Sequence, residues 1–523
     1  FQQALRLAPR HLGALINHGN ALQDIYRYDE AIATYQRALE IDPRHTGALS
    51  NLANTYQQLY KHEAAIETFS RLLTIDPAYD WALGGRMYSR IHSCDWQDHE
   101  AQVAEIKARV ARGERPIKVF ELRPISDDPA LELKCARMFA ETMYPASDQA
   151  APMLATDGKI RIAYLSADFR AHPVSQLLVE VLEQHDRARF EVIGISFGPD
   201  DQSELRTRVS KAFDRFIDVR QHSDEEVAAL LKTEGVHIAI DLMGYTTHAR
   251  PAILAKRAVP LQVAYLGYAG TTGSPAIDCI VADEVIIPPS HEAHYSERVL
   301  RLPAPLLPRD NRLEVPGEVP DRAAAGLPPT GFVFCAFNNH YKISPAVFDV
   351  WMRLLAKVEG SVLWLSDTSD LVKRNLRKAA EQRGVDGDRI IFAPRTARLE
   401  DHLARHALAD LFLDTHPYNA HTTASDALWA GLPVITYRGQ IFAARVAASL
   451  LTALDLPELI TDSLAAYEAL ALKLSTDNQA LQQVRERLTE NKAALAVFDA
   501  ERYARNLERL LLEALETKRR SAA

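Results

Sequence analysis

Residues 411–437 read LFLDTHPYNAHTTASDALWAGLPVITY, and this stretch decides the fold class. An apolar strand, Leu411–Asp414, runs into a polar turn; a helix follows and stops at Gly431-Leu-Pro433; a second strand, Pro433–Tyr437, closes the unit. Short apolar runs separated by helices signal an α/β sheet built from crossover units. Toward the N-terminus the same texture predicts strands at Ile390–Ala393, Ser361–Leu365 and Phe332–Phe337. A proline-rich stretch, Pro303 to Pro329, separates this half from an earlier one. There the strands fall at Ile160–Ser166, Phe190–Phe197, Val236–Leu242 and Gln262–Leu266, with helices around Val174–Gln184 and Glu225–Thr233. The expectation is two doubly wound, Rossmann-like domains, 151–325 and 326–523, the second ending in helices. Ligands of such sheets bind at the carboxyl ends of the strands, and two facing sheets leave a cleft there.

Before Lys159 the chain is helical, and it repeats. Pro9, Pro43 and Pro77 recur every 34 residues in similar settings, the spacing of the tetratricopeptide repeat. Gly19, Leu22, Ala31, Tyr35 and Ala38 of one unit match Ala53, Tyr56, Ala65, Phe69 and Leu72 of the next. Small residues let two antiparallel helices approach, an aromatic fills the gap beneath the next pair, and proline stops the second helix. Residues 1–92 are therefore expected to form an α-helical solenoid, and 93–150, with Cys94-Asp95-Trp96 and Arg115-Pro116, a helical joining region. Asn17 and Asn20 recur as Asn51 and Asn54. Either that row lines a concave surface and contacts extended polypeptide, or it satisfies local hydrogen bonds.

The bulk properties exclude several classes. The 523 residues exceed a single core, and 47% hydrophobic with 25% charged residues is globular composition without a membrane-length apolar run. A net charge of −9 argues against nucleic acid as partner. Four separated cysteines, Cys94, Cys135, Cys279 and Cys335, suggest neither a disulfide framework nor a zinc site, so a reducing, cytoplasmic setting is expected. The chain opens without Met and without the features of a secretory signal, and residues upstream of Phe1 are expected.

Four segments carry candidate chemistry. In Asp414–Asp426, the free amides of a helix start, with the Thr422 and Thr423 hydroxyls, suit a diphosphate. A capping box of Thr423 with Asp426 competes, but leaves His421 and Tyr418-Asn419 unexplained. In Phe337-Asn-Asn-His-Tyr-Lys342, a lysine after a strand is usually solvated, but the polar neighbours point the loop at a ligand, where Lys342 suits the charge developing on a leaving nucleoside diphosphate, the task a metal otherwise performs. In Ala397–Arg405, His402 and Arg405 lie on one helical face at i and i+3, either to stack on a base and reach its carbonyl edge or as part of an amphipathic surface helix, the reading this segment favours on its own. In Ser166–Ser175, His172 precedes Pro173 at a helix start and suits a general base or an orienting group for an acceptor hydroxyl. His237, within a strand, is a further candidate on that side, more suited to the core. No phosphate-loop, HExxH, GxSxG or GxGxxG motif is present, and no acidic pair at a strand end suggests a nucleotide-bound metal.

These residues support a resemblance. Cys94-Asp-Trp96, Ser166-Ala-Asp-Phe-Arg-Ala-His-Pro173, Asn338-Asn-His-Tyr-Lys342, His421-Thr-Thr-Ala-Ser-Asp-Ala-Leu-Trp-Ala-Gly431 and Arg445-Val-Ala-Ala-Ser449 together resemble the O-linked N-acetylglucosamine (O-GlcNAc) transferases, in a compact form. The resemblance implies a GT-B-type fold and inverting, metal-independent transfer of N-acetylglucosamine from UDP-N-acetylglucosamine to Ser or Thr hydroxyls, with no cofactor. It implies that Lys342, His421, Thr422 and Thr423 contact the diphosphate, Asp426 the ribose, and Ala397, His402 and Arg405 the uridine, with His172 as the proposed base. Asn339 stands where the family pattern has glutamine, Leu399 where it has a ribose-contacting lysine that Arg398 would replace, and Tyr418 where it has a smaller residue near the sugar. The long insertion of animal members between the two halves is absent, and only the Pro303–Pro329 linker stands in its place. The implied partners are the UDP-sugar and a polypeptide acceptor guided by the repeats. Two rival readings are a transferase acting on a non-protein acceptor and a repeat scaffold whose catalytic half has decayed.

Overall fold

The computed structural model describes the chain apart from residues 150, 153, 156–157, 314, 316–319, 495–498 and 523, so parts of the Pro303–Pro329 stretch lie outside the described residues. Six helices form the repeats: α1 (Gln2–Leu7), α2 (Leu12–Asp24), α3 (Tyr28–Ile41), α4 (Thr46–Gln58), α5 (His62–Ile75) and α6 (Ala82–His92). The small residues act as their spacing predicts. A Cβ on Gly19 would lie 2.4 Å from the Tyr35 ring, and one on Gly85 would lie 2.5 Å from Phe69. The asparagines make local hydrogen bonds: Tyr35 Oη donates to Asn20 Oδ1 at 2.7 Å and Asn51 Nδ2 to the same oxygen at 2.8 Å, while Asn17 stays exposed.

The joining region clamps the repeats to the two domains after it. The carbonyl of Ser93 accepts a hydrogen bond from Asn375 at 2.8 Å, and Trp96 packs on Phe348 with ring centroids 5.0 Å apart. Arg123, fully buried, pairs with Glu132 at 2.7 Å and lies 3.8 Å from the centroid of the Tyr268 ring. The Asp127 carboxylate accepts from the amides of Gln440 and Ile441. The region thus contacts both halves of the chain beyond it.

Each half is a parallel sheet. The first contains β1 (Ile160–Ser166), β2 (Phe190–Ser196), β3 (Arg215–Asp218), β4 (Ile238–Asp241), β5 (Leu261–Ala264), β6 (Cys279–Asp283) and β7 (Arg298–Leu302), in the order 3-2-1-4-5-6-7. The second contains β8 (Val333–Ala336), β9 (Val362–Ser366), β10 (Ile390–Ala393), β11 (Leu411–Leu413), β12 (Val434–Tyr437) and β13 (Ile460–Thr461), in the order 10-9-8-11-12-13. Central strands buried on both faces require near-continuous apolar runs, as in Ile160–Ser166. Strands β3, β6, β7 and β13 are not among those expected from the sequence.

The last helix, Ala500–Ala522, crosses the expected boundary at 325/326 and packs back on the first sheet. Tyr503 Oη donates to the carbonyl of Leu306 at 2.6 Å and lies 2.8 Å from the Tyr265 hydroxyl. Glu508 accepts from the amide of Asp186 at 2.8 Å and lies 2.9 Å from His185 Nδ1. Its amphipathic pattern needs an apolar partner, which β5 and β7 of the first sheet and the Pro173–Glu183 helix supply. Among the described residues no helix is long and apolar enough to cross a membrane.

Gly84 tests the clamp. Its amide donates to the carbonyl of Pro116 at 2.7 Å, and an added Cβ would lie 2.5 Å from the Ile117 Cα. Glycine to alanine within a helix ordinarily stabilises by about 1 kcal/mol. Here the backbone approach forbids the methyl, and Gly84→Ala is expected to destabilise by about 1–3 kcal/mol instead. Differential scanning calorimetry reads the sign, and a raised melting temperature would refute the close approach.

Candidate active site

At the end of β11 the buried Asp414 carboxylate gathers three donors. Oδ1 accepts from the amides of Thr415 at 2.7 Å and Ala420 at 2.6 Å, and Oδ2 accepts from Thr436 Oγ1 at 2.7 Å. Burial pushes its pKa up to about 7 against the pull of those donors. Thr415 Oγ1 donates to the carbonyl of Tyr418 at 2.6 Å and accepts from Asn338 Nδ2 at 2.8 Å. Residues 414–420 are therefore rigid, and they deliver His421 to the start of the Thr422–Trp429 helix.

That helix has no side-chain cap. The capping box of Thr423 and Asp426 does not form: Thr423 Oγ1 donates to Asn338 Oδ1, and Asp426 pairs with Arg309. Longer-range partners outcompete the local cap and leave the first-turn amides without a side-chain acceptor. His421 Nε2 lies 3.2 Å from the carbonyl of Ala443, and burial holds its pKa well below the ordinary histidine value.

Lys342 comes from the turn after β8. Its Nζ donates to the carbonyl of Asn419 at 2.9 Å and lies 4.1 Å from the centroid of the Tyr418 ring. Burial pulls its pKa down to about 8, opposed by Asp414. Among the described residues no carboxylate contacts this ammonium, and such a cation suits an anionic ligand. Tyr418 is buried, packed between Lys342, Tyr341 and His421. Asn339 is exposed at the start of the turn, and its neighbour Asn338 makes the polar contacts instead.

The third segment converges on the same helix. Arg405 donates to His402 Nδ1 at 2.6 Å and to the carbonyl of Pro394 at 2.9 Å. Burial, aided by the Arg405 and Arg309 charges, pulls the His402 pKa down to about 3, so the ring is neutral with its hydrogen on Nε2. That nitrogen lies 3.7 Å from Asp426 Oδ2. Ala397 and Arg398 lie on the exposed loop before His402, where Arg398 reaches Glu400 at 3.4 Å.

On the first sheet, His172 caps the Pro173–Glu183 helix by accepting from the Val174 amide at 3.3 Å and sits 3.5 Å from Asp168. Burial lowers its pKa, with Asp168 opposing. The expectation for His237 is corrected. It precedes β4, accepts from the Arg161 amide at 3.1 Å and reaches the carbonyl of Ala155 at 2.9 Å, all at the amino end of the sheet, opposite the carboxyl end that carries His172. Arg445 and Ser449 tie the halves together instead of lining the site: Arg445 Nε donates to the carbonyl of Val285 at 2.7 Å, and Ser449 Oγ to Asp283 at 2.6 Å. Sequence reasoning missed Asn338 and Arg309. Among the described residues no three His, Cys, Asp or Glu side chains cluster as metal ligands.

Two parallel sheets, each with its polar motifs at the carboxyl ends of its strands, define the GT-B class of glycosyltransferase fold, here with tetratricopeptide repeats attached. The chain belongs to glycosyl transferase family 41: residues 130–316 and 310–507 match that family, and residues 26–86 match the tetratricopeptide repeat. It is 33% identical over 439 residues to the probable UDP-N-acetylglucosamine–peptide N-acetylglucosaminyltransferase SEC of Arabidopsis thaliana, a match covering 80% of this chain and 45% of that one. It is 28% identical over 465 residues to the UDP-N-acetylglucosamine–peptide N-acetylglucosaminyltransferase of Caenorhabditis elegans, covering 68% and 40%. The chain thus spans less than half the length of these two relatives. A solved structure of a lysine-to-methionine variant of the Thermobaculum terrenum O-GlcNAc transferase superposes with a TM-score of 0.78 at 27% identity, covering 98% of each chain.

The loop bearing Lys342 leans on the repeats. Tyr341 stacks on His92 at 4.7 Å, and His92 on His62 at 4.9 Å. Burial pulls the pKa of His92 down to about 3 and that of His62 to about 4. Both folded values lie below the unfolded one, so below about pH 6.5 the unfolded chain binds protons that the folded chain refuses, and stability falls as pH falls. His92→Phe is expected to remove one proton from that linkage, flattening the slope by up to about 1.4 kcal/mol per pH unit between pH 6 and 4. Urea unfolding across that range checks it; an unchanged slope would show that His92 is not held neutral.

Proposed function

We propose that this chain is an inverting, metal-independent glycosyltransferase that moves N-acetylglucosamine from UDP-N-acetylglucosamine to Ser or Thr hydroxyls of polypeptides. The observation that carries the proposal is the convergence of a half-buried Lys342 with no carboxylate in contact among the described residues, an uncapped helix start at Thr422 and the His402–Arg405–Asp426 group on one sheet's carboxyl edge. The diphosphate sits on the Thr422 helix start beside Lys342 and His421, the base lies against His402 and Arg405, and the ribose meets Asp426. Ala397 and Arg398 border the base from the exposed loop. The acceptor hydroxyl approaches from the first sheet's side, where His172 is held neutral.

In the chemical step the hydroxyl oxygen bonds to the anomeric carbon as the bond from that carbon to the β-phosphate oxygen breaks. The electron pair leaves with UDP, and the hydroxyl proton passes to neutral His172 or to a donor phosphate oxygen. Negative charge grows on the diphosphate as the bond breaks, and Lys342 with the helix amides meets it without having to reorganise. The polypeptide acceptor is inferred from the names of the plant and nematode relatives, and the repeats guide it. Four free, buried cysteines fit a reducing, cytoplasmic setting.

Lys342→Met keeps most of the stem and deletes the charge. Turnover is expected to fall on the order of 10²–10³-fold, while UDP still binds through the helix start and the His402–Arg405 face. Mass spectrometry of peptide modification with calorimetry of UDP checks both, and near-normal transfer by the folded variant would remove Lys342 from the mechanism. UDP affinity is also expected to be the same in excess chelator as in magnesium. A collapse of binding on chelation would mean that Lys342 and the helix amides do not supply the field required.

A further inference from the structure

Arg309 lies in the crossover between the two sheets, yet it is only 4% exposed. The crossover is tethered on both sides. The Asn311 amide donates to Glu180 at 3.0 Å, Asp310 pairs with Arg208, Arg312 pairs with Glu183, and Trp429 Nε1 donates to the carbonyl of Leu313 at 2.9 Å. Between these tethers Arg309 Nη1 donates to Asp426 Oδ1 at 2.8 Å and to Ser425 Oγ at 3.2 Å, with the guanidinium 5.0 Å from the centroid of the Trp429 ring.

Two details exceed what a tether needs. The Nε and Nη2 groups of Arg309 are buried and have no hydrogen-bond partner among the described residues, and leaving buried donors on a cation unmet is costly unless something else fills the site. The contact also occupies only one oxygen of Asp426, while Oδ2 stays 3.7 Å from His402 Nε2, beyond a good hydrogen bond.

We propose that Arg309 is a positioning and specificity-determining residue of the nucleoside pocket, fixing Asp426 so that its second oxygen accepts from ribose hydroxyls, with the remaining guanidinium N–H groups completing the pocket wall when a nucleotide is bound. The inference rests on the uridine site proposed above. It makes the crossover between the sheets a part of the donor site.

The test is calorimetry of the full chain with UDP and with 2′,3′-dideoxyuridine diphosphate. Wild-type protein is expected to prefer UDP at least tenfold. In Arg309→Met, UDP binding is expected to weaken about ten- to a hundredfold, the range for losing a hydrogen bond to a charged group. Binding of the dideoxy compound should change little, so the preference falls toward one. Arg309→Lys keeps the charge without the fork and is expected to fall between; it carries the same comparison if the Met variant fails circular dichroism. A folded variant that keeps the wild-type preference, even with both affinities lowered together, would make Arg309 a tether and overturn the inference. Wild-type protein with no preference would overturn it too, while wild-type protein that does not bind UDP at all would sink the transferase reading itself.

Discussion

The site depends on the carboxylate of Asp414. A backbone that leaves a central strand and turns into a helix within eight residues must find partners for its amides without regular structure. Asp414 supplies them from within, taking the amides at both ends of the loop and anchoring itself to Thr436 on the neighbouring strand. Everything downstream inherits that geometry. The Asn419 carbonyl is where Lys342 needs it, the Tyr418 ring lies under the ammonium, and the helix starts with its amides uncapped. The same burial that makes Asp414 a poor acid keeps Lys342 short of its full basicity, so the pocket is primed for an anion.

Most of this was legible in the sequence, for reasons that differ by element. Ile160–Ser166 is a strand as read, because a central parallel strand carries a near-continuous apolar run. The edge strand Arg215–Asp218 has charged, exposed ends, and Ile460–Thr461 is two residues long; neither carries a periodic signal. The helix-start motif was legible before Thr422, and the i, i+3 spacing placed His402 with Arg405. Asn338 and Asn339 are adjacent and identical, and which one turns inward depends on the phase of the chain leaving β8. The misplacement of His237 has a related cause: its strand was found, but the polarity of the sheet makes the start of a strand the wrong end. Arg309 was illegible, since a charged residue among prolines looks solvated until the crossover is seen pressed against the Trp429 helix.

The repeats are more than an appendage. Rings run from His62 through His92 and Tyr341 to Tyr418, which packs against both His421 and Lys342. Close packing of this kind transmits displacement, since cores resist compression. The Arg123–Glu132 pair under Tyr268 and the Asp127 carboxylate on the Gln440 loop hold the joining region to both sheets. Cys94, whose thiol meets the carbonyl of His340 in the Lys342 turn, and Trp96, packed on Phe348, belong to this bracing.

The return of the Ala500–Ala522 helix to the first sheet means that the chain passes between the halves twice. Two bodies joined by one thread swing and twist freely, whereas two bodies joined at two separated points share a single axis, the line between those points. Relative motion of the sheets is thereby narrowed to a rocking about that line. With the Arg445–Val285 and Ser449–Asp283 hydrogen bonds added across the seam, such a joint keeps the His172 side opposed to the Lys342 side.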